Sequence, residues 1–233
     1  MELTYGRYLK VEELLQLQQP LSEGPEHDEM LFIIIHQVYE LWFKQILHEL
    51  EKLKSSFQEG ERGKALHTLK RIRSILKVLV SQVDVLETMT PLEFLSFRER
   101  LQSASGFQSC QFRELEFTLG LKNPKHLEHY PQGSEERNRL EKKMEEPSLW
   151  EVFLQFLSSL GHDSPKLKEG GRPSEPPDSS EDIQDLLEKI YRNHPDSAKV
   201  CEMLTDLDEG IQEWRYRHVQ MVRRTIGTKS GTG

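Results

Sequence analysis

Ala65, Leu69, Ile72, Leu76, Leu79, Val83 and Leu86 recur at alternating spacings of four and three. That period puts all of them on one stripe of an α-helix, and so long a stripe must pack against another helix along its length. Val200, Leu204, Leu207, Ile211 and Trp214 repeat the pattern, and the next position on the seam is His218. No segment alternates with period two, and no Asn-Gly or Asp-Gly hairpin signal occurs. The expected fold class is all-α, a helical bundle-like domain.

A long apolar helix is expected from near Asp28 to "QEGERG", as an antiparallel neighbour of the Ala65–Leu86 helix. In "TPLEF", Thr90 can cap, Pro91 suits the first helical position, and Glu93 completes a capping box. "SASGFQS" interrupts that helix, and a further one ends near Gly120. The charged "EERNRLEKKMEE" precedes "PSLWEVFLQFLSSLG", with Pro147 inside the start and Gly161 past the end. Residues 162–180 are rich in Pro, Gly and Ser and read as a mobile loop. Helices resume at "EDIQDLLEKIYRN" and from about Ala198 to Ile226.

A chain of 233 residues without an obvious boundary suits a single domain, 1–233. The longest apolar run, "LFIII", falls far short of the roughly 20 residues of a membrane span. A net charge of −8 argues against nucleic acid as a partner, although Arg215, Arg217, Arg223, Arg224 and Lys229 make the last helix locally basic. "MELTYGRYLK" lacks the features of a secretory signal, and Cys110 and Cys201 form no metal or redox motif. A cytoplasmic protein with reduced thiols is expected.

Two histidines lie on apolar helical faces. His36 shares its face with Phe32, Tyr39 and Phe43, and His218 occupies a core position of its seam. Each alone is more often a hydrogen-bonded core histidine than a ligand. Together they ask for a chemistry that uses imidazoles from separate helices. Di-iron bundles need Glu-x-x-His, zinc proteases His-Glu-x-x-His, and serine hydrolases Gly-x-Ser-x-Gly; none occurs, nor does a phosphate-binding loop. His126 and His129 read as a surface pair. Haem remains: a planar cofactor between helices, with one neutral imidazole on the iron and a second near the bound substrate.

"LTYGRYL", "HDEMLFIIIHQVYELWFKQILHELE", "LETMTPLEFLSFRERLQSASGFQS", "EEPSLWEVF", "EWRYRHVQMVRRTIG" and "GTKSGTG" occur in order across the chain. Together they resemble the tryptophan 2,3-dioxygenase family. The resemblance implies a homotetrameric haem b enzyme, ferrous when active. It would insert both atoms of O₂ across the C2–C3 bond of the L-tryptophan indole and give N-formylkynurenine. Two alternatives accompany it: a related haem monooxygenase on tryptophan or a modified indole, and a non-catalytic haem-binding protein.

By resemblance, His218 matches the proximal haem ligand and thus the metal ligand, and His36 the distal histidine facing the indole N–H. Phe32 matches an aromatic wall, and Arg98 the arginine that binds the substrate carboxylate. Leu101 and Ser105 match positions beside the haem, and Phe94 stands where some members have tyrosine. Tyr5 and Tyr8, in the 1–20 segment, match tyrosines inserted into a neighbouring subunit's active site. Thr232 matches a threonine near the substrate ammonium group. The family pattern continues past Gly233 with further Gly and Ser residues and a helical region that this sequence does not include.

Overall fold

The computed structural model describes residues 2–102, 104, 106–164 and 181–227, without the side chain of Phe107. Ser105, Thr232 and most of the expected 162–180 loop lie outside the described residues. Ten α-helices and no strand are found among the described residues. The fold is all-α, as the periodicity requires.

Three long helices form the frame: α3 (His27–Gln58), α4 (Arg62–Leu86) and α10 (Pro195–Ile226). The α4 seam is buried at every position from Ala65 to Leu86, and both α3 and α10 pack against it. On α10, Val200, Leu207, Trp214 and Met221 are buried, with Leu204, Ile211 and Val222 packed at the core's margin. Gly210 lets α10 close on α4, since a methyl there would meet Leu76 Cδ1 at 3.0 Å.

Shorter helices close the frame. The α5 helix (Pro91–Phe97) starts with the expected capping box: Thr90 Oγ1 accepts from the Glu93 amide at 3.4 Å, and Glu93 Oε2 accepts from the Thr90 amide at 2.6 Å. It tightens into a 3₁₀ turn over Arg98–Leu101. The α6 helix (Cys110–Leu119) ends at Gly120, whose φ of 116° only glycine adopts without strain. The remainder are α7 (Glu135–Glu145), α8 (Leu149–Ser159) and α9 (Glu181–Asn193), with α1 (Tyr5–Leu9) and α2 (Val11–Leu14) in an N-terminal arm.

Two expected boundaries are corrected. The α3 helix starts at His27, so Asp28 lies inside the first turn, where its charge meets the positive end of the helix dipole. Pro147 precedes the α8 cap, because Ser148 and Glu151 form a second capping box that takes the boundary.

Candidate active site

The site forms where α3, α5 and α10 meet. On α3, His36 follows Phe32 by one turn, with ring centres 4.0 Å apart and Nδ1 at 2.7 Å from the Phe32 carbonyl oxygen. A carbonyl can only accept, so Nδ1 carries the proton and Nε2 keeps a free lone pair. Phe94 and Phe97 of α5 lie 5.8 and 5.6 Å from Phe32 and pack edge to face against each other at 5.5 Å. The three phenyl rings make an aromatic wall beside His36.

On α10, the His218 imidazole stacks on Trp214, one turn earlier, at 5.3 Å and 17°. Trp214 is held in turn by Tyr39 and Phe43 of α3 and Phe112 of α6, with ring centres 5.1 to 5.9 Å away. Among the described residues no group hydrogen-bonds the His218 ring.

Electrostatics link the two histidines. Burial, with a smaller contribution from His36, pushes the His218 pKa down to about 4. Burial also lowers that of His36, against opposing effects of the Phe32 carbonyl and Glu40. Both rings are therefore neutral at neutral pH, the form that can hold a metal or accept a hydrogen bond. Glu40 is tied to α6, its backbone oxygen and Oε2 accepting from Gln111 Nε2 at 2.9 and 2.8 Å.

The structure thus brings His36, Phe32 and Phe94 into contact, with His218 within electrostatic reach. Leu101 packs against the core, and Arg98 is half-buried at the start of the 3₁₀ turn. Tyr5 and Tyr8 do not join them: they are 78% and 73% exposed on α1. Phe97 and Trp214 complete the rings around the histidines, and the sequence reading singled out neither as a site residue. A cleft of about 290 Å³ at the other end of α10, between Arg62, His162 and His194, contains none of these residues.

No group of three or more His, Cys, Asp or Glu side chains able to hold a metal is found among the described residues. A metal held by His218 must bring its remaining ligands, as a porphyrin does, and a neutral, stacked imidazole without a protein partner fits that group.

These features define an all-α protein with a paired-imidazole, aromatic-walled site. The model of the tryptophan 2,3-dioxygenase family matches residues 1–173 and 179–233. The tryptophan 2,3-dioxygenase of Herpetosiphon aurantiacus is 55% identical over 231 residues, covering 99% of this chain and 88% of that protein. Those of Anaeromyxobacter sp. and Nocardioides sp. are 53% and 47% identical, covering 99% and 100% of this chain and 86% and 85% of theirs. The chain belongs to the tryptophan 2,3-dioxygenase family.

Proposed function

We propose that the chain cleaves the C2–C3 bond of the L-tryptophan indole with O₂, giving N-formylkynurenine, at a haem b held by His218. Family membership supports the reaction, and the tautomer of His36 is the observation that supports the site. Bound haem, with its iron ferrous, supplies the oxygen chemistry.

The protein's own residues orient the substrate. His36 Nε2 accepts the indole N–H, because Nδ1 is already committed to Phe32. Phe32, with Phe94 and Phe97 behind it, sets the plane of the indole and excludes water. Phe94 gives this wall a ring without a hydroxyl. Arg98 offers a guanidinium fork to the carboxylate, and Thr232 contacts the ammonium group. Leu101 and Ser105 border the haem. His36 acts as acceptor and positioning group, and holding the tryptophan at both its indole and its amino-acid end lowers the entropic part of the barrier.

The working form is a cytoplasmic homotetramer in which Tyr5 and Tyr8 of one copy line the substrate site of another. Their exposure in the single chain supports this, and no helix among the described residues is long and apolar enough to cross a membrane. The test is product mass after turnover of L-tryptophan under isotopically heavy O₂. Two heavy atoms in N-formylkynurenine are expected. One heavy atom, or haem binding without turnover, would overturn the assignment.

A further inference from the structure

The N-terminal arm has little apolar attachment to its own chain. Leu3, Tyr5, Tyr8, Leu9, Leu14 and Leu15 are exposed, and no described hydrophobic side chain before Leu31 belongs to the core or packs on it. Polar contacts hold the arm instead. Gln18 Nε2 donates to Gln37 Oε1 at 2.6 Å, and Gln37 Nε2 donates to the Leu17 carbonyl at 3.0 Å. The tightest attachment is Glu29, which is 2% exposed in the first turn of α3. Its Oε1 accepts from the Leu21 amide at 2.7 Å, and its Oε2 accepts from the Ser22 amide at 3.0 Å and from the Ser22 hydroxyl. Ser22 Oγ also accepts from the Glu26 amide at 2.9 Å, closing the loop on itself.

We infer that Glu29 is a positioning residue for the substrate site: its carboxylate fixes the arm's exit at Leu21–Ser22 and so sets where Tyr5 and Tyr8 are delivered on a second copy. The inference rests on the arm role proposed above. Glu29, Phe32 and His36 are spaced three and four apart, so hinge and site share one stripe of a rigid helix. Arg100, in the 3₁₀ turn that begins with Arg98, acts on the same carboxylate electrostatically. Burial alone would raise the Glu29 pKa; the Ser22 and Leu21 hydrogen bonds, with Arg100, outweigh it and keep the group ionised. Three donors on a buried carboxylate form a stiff joint, because leaving any of them unpaired is costly.

The test uses the haem-loaded full chain with Glu29→Gln, which keeps size but loses the charge and half of the acceptor capacity. Amide exchange at residues 21 and 22 should accelerate about tenfold or more. KM for L-tryptophan should rise several-fold, while kcat stays within about twofold and the haem spectrum is unchanged. Ser22→Ala, which removes one donor and leaves the core untouched, should repeat the pattern at about two- to threefold amplitude. Unchanged exchange in both variants would overturn the joint, and faster exchange with unchanged KM would overturn its link to the site. A Tyr5→Ala/Tyr8→Ala chain separates the two ideas. If it raises KM while Glu29→Gln does not, only the inference about Glu29 falls; if it leaves KM unchanged, the arm role falls and the inference with it.

Discussion

Trp214 and His218, one turn apart on α10, stack with ring centres 5.3 Å apart and planes 17° from parallel. The indole is itself wedged among Tyr39, Phe43 and Phe112. The imidazole therefore has its orientation set by packing, and neither ring nitrogen is committed to a protein hydrogen bond among the described residues. An imidazole with a fixed ring plane and an uncommitted lone pair suits the haem-ligand role proposed for it.

His218→Ala should abolish stable haem incorporation while leaving helix content unchanged. Its removal leaves the buried seam residues Leu207 and Met221 in place to hold α10. Haem absorbance and far-ultraviolet circular dichroism on the same sample check this. A five-coordinate histidine-type spectrum in the variant would show that another residue holds the iron.

Arg98→Ala should weaken L-tryptophan by about 1.5 to 3 kcal/mol, roughly ten- to a hundredfold in affinity, through loss of a charge-assisted contact. Indole analogues without a carboxylate should bind as before. Titration of both ligands into the haem protein decides the matter, and equal losses would place the guanidinium outside the site.

Burial holds His36 neutral in the folded chain, so below its ordinary pKa of about 6.5 the unfolded chain binds the extra proton. Stability should therefore fall as pH drops beneath that value, level off below the folded pKa, and gain nothing above about 6.5. Turnover should fail on the same acid side, since an imidazolium cannot accept the indole N–H. Denaturant unfolding of the haem-free chain and its His36→Gln variant at about pH 5 and 7.5 isolates the histidine's share. The variant should show the smaller loss; identical losses would mean that His36 titrates alike in both states.

The helical frame was largely legible because burial along a helix leaves a period. The α4 seam is buried throughout, Thr90 and Glu93 cap as their spacing predicts, and His36 and His218 stand out as imidazoles on apolar stripes. Phe97 and Trp214 were not legible as site residues, because an aromatic on an apolar seam looks the same whether it packs a core or braces a ligand. The Glu29 joint was hidden for another reason. It links a helix to an irregular loop through three hydrogen bonds, and such contacts leave no periodic trace. The start of α8 shows two local signals in competition, with the Ser148 and Glu151 box overriding the preference of Pro147 for the first turn.

Gly210 shows a cost that sequence propensity alone would get backwards. Mid-helix glycine loses about 1 kcal/mol relative to alanine, so Gly210→Ala should stabilise α10 if nothing lay nearby. A Cβ there would stand 3.0 Å from Leu76 Cδ1 and 3.4 Å from Leu76 Cβ. The second distance is ordinary van der Waals contact, but the first is too close, so the Leu76 Cδ1 methyl must give by a few tenths of an ångström. Leu76 is buried in a packed core with little room to give, and overpacking there costs about 1 to 3 kcal/mol, so the net effect should be destabilising. Leu76→Ala removes the 3.0 Å contact while leaving a hole for the new methyl group. The double variant should therefore be more stable than the sum of the single changes by about 1 kcal/mol. Unfolding of the four proteins of this cycle measures the coupling, and strict additivity would mean that Gly210 is not the residue that lets α10 close on α4.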